Sequence, residues 1–283
     1  MLKLNLVEKV ICLFLLVIGI NQHAEAQHVE NELGWKLGAQ AYTFNHFTFF
    51  EAVDKTKESG MSYIEAYPGQ TIGGGIEGKM DFHLSAEKRE LILKKLKGKD
   101  VKLAAFGVVG ANSREEWKEL FEFAKAMKLE SITSDPNPED LKFISGLCDE
   151  YGINLAIHNH PEPSRYWDPE IVLNAIKGLS SRVGACADVG HWVRSGLDPI
   201  ESLKKLDGHI ISIHFKDINA KDKEAHDVPW GTGISNVKGM MGELKAQEFK
   251  GLFSVEYEYN WDNNVPDIIK SIKYFREQVK GLE

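Results

Sequence analysis

The chain has 283 residues, 43% hydrophobic and 27% charged, with 25 glycines and 9 prolines, a globular composition that excludes disordered, collagen-like and disulfide-scaffold proteins. Its 34 Lys and Arg stand against 42 Asp and Glu, a formal charge of -8, which argues against a surface that tracks nucleic-acid phosphates and for a small partner.

Residues 1–26 read as a secretory signal peptide. Lys3 and Lys9 precede an apolar run over residues 10–20, too short to cross about 30 Å of hydrocarbon, so no stable membrane insertion is expected. Ala24 and Ala26 put small residues where a signal peptidase cuts, so the mature chain should begin at Gln27 and act in the periplasm or outside the cell. Cys12 lies in the middle of the run, not at its end, which disfavours a lipid anchor. Cys148 and Cys186 remain, and a core of this size needs no disulfide, so both are expected as packed thiols.

From Trp35 onward, short apolar runs alternate with amphipathic stretches. Residues 36–42 read as a first strand, followed by a helix over 47–59 that Gly60 closes with a left-handed cap. Residues 62–66 are the second strand, and Ser85 opens a helix that stops at Gly98. Between them, Gly73-Gly74-Gly75 lies in a long connection that lacks the Lys-Ser/Thr of a phosphate loop and reads as a flexible surface loop. The third strand is 101–109, after which Ser113 and Glu116 have capping-box spacing ahead of Trp117, Leu120, Phe121 and Ala124. Residues 131–134 are the fourth strand, with a helix over 139–151. The fifth, 153–158, is almost continuously apolar, as a strand buried on both faces should be.

Asp168-Pro169 and Asp198-Pro199 each begin a helix, with Asp as cap and Pro at the first helical position, where its missing N–H costs nothing. Between them 183–187 is the sixth strand; 210–215 and 252–257 are the seventh and eighth, and a helix over 268–279 ends the chain. Strands separated by helices pair in parallel through right-handed crossovers. A doubly wound sheet would show a glycine-rich turn after its first strand, where this chain has Thr43-Phe44-Asn45-His46. Eight units in about 250 residues match a (β/α)8 TIM barrel, so residues 27–283 are expected to form a single α/β barrel domain.

In such a barrel the chemistry sits where strands end. The fifth strand ends in His158-Asn159-His160, the sixth runs into Asp188 with His191 three residues on, the seventh ends in His214 followed by Lys216 and Asp217, and the eighth holds Glu256. Two buried carboxylates at one rim with two imidazoles are most simply explained by one divalent metal ion held by His158, Asp188, His214 and Glu256. That donor mixture suits Mn²⁺, Co²⁺, Zn²⁺ or Fe²⁺ better than Mg²⁺. Glu65, ending the second strand, stands across the barrel; a base or substrate contact behind the ligands and a structural ion pair both remain open. His46 and His226 read as solvent-exposed loop residues.

The segments LAIHNHP (155–161), ADVGHW (187–192), IHFKD (213–217), PWGTG (229–233) and SVEYE (254–258) resemble, in order, the motifs of the xylose-isomerase-like TIM barrel family of sugar isomerases and epimerases. The resemblance implies one divalent metal, with Asp188, His214 and Glu256 at three of four ligand positions. It makes His191 a substrate contact and places Lys216 and Trp230 along the pocket. The strand-five ligand, commonly Glu, is His158 here, and a metal-bound imidazole has no free lone pair for proton transfer. Glu256, or a second residue such as His160, is then left to take the proton.

The implied chemistry is abstraction beside the ketone of a small carbohydrate, a keto-sugar or 3-keto-glycoside. The resulting enediolate leads to isomerisation, epimerisation or β-elimination of a glycosidic bond. Two alternatives are a non-catalytic sugar-binding barrel, which would carry aromatic platforms without a complete metal set, and an abasic-site endonuclease-like phosphodiesterase, which needs a larger zinc-ligand set and a basic face.

Overall fold

The computed structural model of the protein describes residues 28–282; the expected signal peptide lies outside them. The strands are β1 (Lys36–Gln40), β2 (Tyr63–Ala66), β3 (Thr71–Gly73), β4 (Ile76–Lys79), β5 (Lys102–Phe106), β6 (Ser131–Ser134), β7 (Asn154–His158), β8 (Val183–Asp188), β9 (Ile210–Phe215) and β10 (Leu252–Val255). All but β3 and β4 pair in parallel and close into a barrel, in the order β1-β2-β5-β6-β7-β8-β9-β10 and back to β1. The helices are α1 (Phe49–Glu58), α2 (Ala86–Lys99), α3 (Arg114–Met127), α4 (Leu141–Tyr151), α5 (Pro169–Ile176), α6 (Val189–Arg194), α7 (Pro199–Lys205), α8 (Val237–Ala246) and α9 (Val265–Lys280). This is a TIM barrel. Among the described residues no helix is long and apolar enough to cross a membrane.

Local sequence sets most helix starts. Thr48 and Glu51 form a reciprocal capping box at α1, and the Asp168 and Asp198 carboxylates accept from backbone N–H groups at the Pro-led starts of α5 and α7. At α3 Ser113 accepts from the Glu116 N–H, but the Glu116 carboxylate reaches one residue further back, to the N–H of Asn112 at 2.7 Å. The triple-glycine connection is ordered as the β3–β4 hairpin: Gly73, Gly74 and Gly75 all take positive φ, and Ile72 and Met80 are buried beneath it. A short helix, α6, follows β8 without a loop, and α8 fills the seventh crossover.

The core lies mainly between barrel and helices. Phe215 and Phe253 point outward, with ring centroids 5.3 Å apart, and meet Phe275 of α9 and Trp35 or Trp230; burying each such ring stabilises by about 1.5–3 kcal/mol. The barrel interior is different. Glu65, Thr133, Ser212, His214 and Ser254 are fully buried there, where apolar branched residues usually fill the layers. Cys148 and Cys186 are both buried free thiols.

Candidate active site

Period-two alternation aims the site residues. On β9, Ser212 and His214, and then Lys216, face inward while Ile213 and Phe215 face the helices; Ser254, Glu256 and Glu258 keep the same inward phase from β10 into its following loop. Asp188 ends β8 opposite His214 in register. Its Oδ1 caps α6 by accepting from the His191 N–H at 2.8 Å, which leaves Oδ2 for the barrel axis. Asn159 ties β7 to β8 by accepting from the Asp188 N–H at 2.8 Å and donating to its carbonyl at 2.9 Å. That clamp fixes His158 and Asp188 relative to each other.

One donor atom from each of His158, Asp188, His214 and Glu256 lies within 4.8 Å of the others, and all four residues are buried. His214 Nδ1 is 3.1 Å from Glu256 Oε2, and His158 Nε2 is 3.5 Å from Asp188 Oδ2. Among the described residues none of these atoms makes a properly aligned hydrogen bond. Asp188 Oδ2 and Glu256 Oε2 are ion-paired with the Lys216 ammonium, but the two imidazole nitrogens have no aligned partner, and a buried polar atom left so costs about 1–3 kcal/mol; donors that converge in this way fit a common partner. Two donors on opposite sides of one ion stand about 4.2 Å apart at metal–ligand lengths of about 2.1 Å. The cluster therefore fits a divalent cation after a contraction of a few tenths of an ångström.

Charge points the same way. Lys216 is fully buried, its ammonium 3.0 Å from Asp188, 2.8 Å from Glu256 and 2.6 Å from Glu258. Burial opposes its charge, yet these carboxylates hold its pKa well above the ordinary lysine value. Burial likewise works against ionised Asp188 and Glu256, but the Lys216 ammonium, joined by His214 at Glu256, holds both carboxyls below their usual range. Counting Glu65, Asp227 and Glu258, five carboxylates share the region with Lys216, Arg194 and a His214 ring held in its charged form, and a divalent cation in place of the His214 proton would offset part of the remaining negative charge. Gly190 makes room for this lysine: a Cβ there would stand 2.7 Å from Lys216 Cδ.

Glu65 sits behind the cluster. Its carboxylate accepts from Thr133 Oγ1 at 2.5 Å, from Ser254 Oγ at 2.7 Å and from His214 Nε2 at 3.0 Å. The last bond has Nε2 donate to Glu65 and turns Nδ1 toward Glu256; burial opposes charge on this ring, but Cys186, Glu256 and Glu65 hold its pKa well above the ordinary histidine value, so a metal ion would take the place of the proton on Nδ1. Burial raises the Glu65 carboxyl, but His214 and the two hydroxyls outweigh it and keep the group ionised. This is the carboxylate–histidine arrangement that orients metal-ligating imidazoles.

The model of the xylose isomerase-like TIM barrel family matches residues 53–278. The chain belongs to this family. An uncharacterized protein of Parabacteroides distasonis, with a solved structure, is 37% identical at a TM-score of 0.72, over 86% of this chain and 99% of its own. Two more distant structures share the fold. A D-tagatose 3-epimerase-like protein is 20% identical at a TM-score of 0.69, over 87% of this chain and 98% of its own. A xylose isomerase-like TIM barrel protein from Mycobacterium smegmatis, in complex with magnesium, is 13% identical at a TM-score of 0.70, over 88% of this chain and 97% of its own. No curated protein matches the chain.

In this family member a cavity of about 340 Å³ opens over the cluster, near the lower limit for small-molecule sites. His160, His191, Glu256 and Glu258 line it together with His158. Burial, aided by His158, lowers the His160 pKa, and burial lowers that of His191 well below the histidine range, so both rings favour the neutral form. Trp230 is placed elsewhere: it is buried among Phe215 and Phe275 on the outer side of β9, behind the wall. Asp217 organises the PWGTG segment by accepting from the N–H groups of Gly231, Gly233 and Ser235 at 2.9–3.0 Å. His46 is exposed and paired with Asp262, whereas His226 is half-buried, stacked on Tyr259 and paired with Asn219.

The residue patterns around the strand ends left out Glu258, Asn159, Arg194 and Asp227. Glu258 carried a signal, since Ser254, Glu256 and Glu258 alternate with apolar neighbours. Arg194 and Asp227 pair at 3.2 Å across 33 residues of chain, which no local pattern marks.

Proposed function

We propose that this protein is a divalent-metal-dependent enzyme that removes the proton beside the ketone of a keto-sugar or 3-keto-glycoside. The enediolate then proceeds to isomerisation or epimerisation, or to β-elimination of the glycosidic bond. The observation that carries the reading is the convergence of four donor atoms from His158, Asp188, His214 and Glu256 within 4.8 Å of one another, two of these residues lining a small open cavity. A divalent ion held by these four residues would supply Lewis-acid polarisation of the ketone; two nitrogens and two carboxylates favour Mn²⁺, Co²⁺ or Zn²⁺ over Mg²⁺.

The chain's own groups do the rest. Glu256 and His160 are the cavity-wall residues offered for the proton, the carboxylate as a member of the cluster and the imidazole with its ring centroid 4.5 Å from that of His158. His191 and Glu258, also on the wall, supply hydrogen-bonding partners for sugar hydroxyls. Lys216 holds Glu256 and Glu258 in place from beneath. The apolar run over residues 10–20 supports export, and mass spectrometry of secreted protein beginning at Gln27 tests that part.

Solvent exchange tests the chemistry. With Mn²⁺ present, incubation with a 3-keto-glucoside in D₂O should place deuterium on the carbon beside the ketone, and chelation should abolish it. Glu256→Gln and His160→Gln, assayed separately, show which group moves the proton. Turnover that survives chelation with that proton wholly retained would overturn the reading.

A further inference from the structure

Three aromatic rings run from the cavity wall to the rim. Tyr67 and Tyr42 line the cavity; their rings meet edge-on at 5.2 Å, and Tyr42 meets Trp261 edge-on at 5.8 Å. His46 stacks against Trp261 at 5.9 Å, and its Nδ1 lies 2.9 Å from Asp262 Oδ1. The three rings come from the segments after β2, β1 and β10, which are neighbours in the barrel. The row is thus one continuous sector of the mouth, and Trp261 shares its loop with Glu258.

Tyr42 is 40% exposed and Trp261 is only partly buried. Leaving such rings in water forgoes stabilisation that inward packing would give. A row of rings that continues a binding cavity and ends beside a hydrogen-bonding His–Asp pair has the makeup of a ligand surface, with apolar faces for contact and a few polar groups for orientation. The cavity over the cluster is small, so anything larger than one sugar ring has to extend along this row.

We propose that Tyr42, Tyr67 and Trp261 form a second sugar-ring subsite, so that the substrate is a glycoside of at least two rings. The inference rests on the keto-sugar reading above. One ring occupies the cavity over His158, Asp188, His214 and Glu256. The apolar C–H face of the second lies against Tyr42 and Trp261, with its hydroxyls toward His46 and Asp262.

Calorimetric titration of the full protein with Mn²⁺ present tests this, with methyl β-glucoside as a one-ring probe and cellobiose and trehalose as two-ring probes. At least one two-ring probe should bind about tenfold more tightly than methyl β-glucoside, the gain expected from one stacked ring. Trp261→Ala should erase that margin while changing the one-ring affinity less than about twofold, and Trp261→Phe should restore most of it. Equal affinities in the wild type would overturn the subsite, as would an alanine variant that weakens both probe classes equally. Wild-type exchange of deuterium into either one-ring 3-ketoglucose or a two-ring 3-keto-glucoside separates the two readings. Exchange without a two-ring preference fails the subsite alone, and two-ring preference without exchange fails the chemistry alone.

Discussion

Strands β7 to β10 lead into His158, Asp188, His214 and Glu256, whereas β1, β2, β5 and β6 end in Gln40, Ala66, Phe106 and Ser134. The first group carries nearly all the charge of the site, and the second supplies walls, among them Tyr42, Tyr67 and Gly107. The halves meet through one carboxylate, Glu65 of β2, which reaches across the barrel to hold His214. Concentrating the candidate ligands on adjacent strands lets short backbone clamps such as Asn159 set their spacing. Substitutions on the two sides should therefore fail differently, abruptly on the ligand side and gradually on the wall side.

The largest effect is expected on the ligand side. Asp188→Asn keeps an N-cap oxygen for the His191 N–H but turns an amide donor toward the cluster where Oδ2 stood. Bound metal, measured by elemental analysis, should vanish, and turnover should fall on the order of 10³-fold with the circular dichroism unchanged. Full metal content would break the assignment of these strands. Lys216→Met comes next, since it strips Asp188, Glu256 and Glu258 of their shared cation. The metal-free variant should lose about 3–5 kcal/mol of stability, and Mn²⁺ should raise its melting temperature by more than it raises that of the wild type. An equal rise in both proteins would contradict the charge argument.

Glu65→Gln probes the bridge between the halves. It keeps shape and an acceptor but loses the charge that favours the Nε2–H tautomer of His214, so Mn²⁺ affinity should weaken by about 10–100-fold. Nitrogen-15 spectra of His214 in the zinc-loaded protein should show mixed tautomers in the variant and one in the wild type; a single unchanged tautomer would mean Glu65 only packs.

The smallest effect on turnover belongs to Asp227, whose influence is on stability. Burial pushes its carboxyl up to about 6, against the pull of Lys216 and Arg194. A raised folded-state pKa means the folded chain holds this proton more tightly. Asp227 should therefore cost stability, about 3 kcal/mol, as pH rises through the window from about 4 to 6, with no further slope above it. Urea denaturation of Asp227→Asn should flatten that portion of the curve; a pH-independent offset would sink the idea.

Much of this was legible in local chemistry. The strand–helix alternation, the Asp-Pro helix starts and the ionisable residues after apolar runs each depend on a few neighbouring residues, and each predicted an element or candidate at its place. The triple glycine misled because its neighbours alone do not show that Ile72 and Met80 have a core to cover. Trp230, which the family resemblance set at the pocket, lies on the outer face of β9, because the chain leading to it places it against Phe215 and Phe275.

What the sequence determined by itself was periodicity: strands two residues in phase put Ser212, His214 and Lys216 on one side, and Ser254, Glu256 and Glu258 on one side, whatever they face. Only closure of the barrel decided that those sides face each other and Glu65. Carboxylate and imidazole 149 residues apart in the chain came within 3.0 Å, and Lys216 came to lie among three carboxylates. Such pairings depend on register and on the sum of buried charge around an axis, quantities that exist only once eight strands have met.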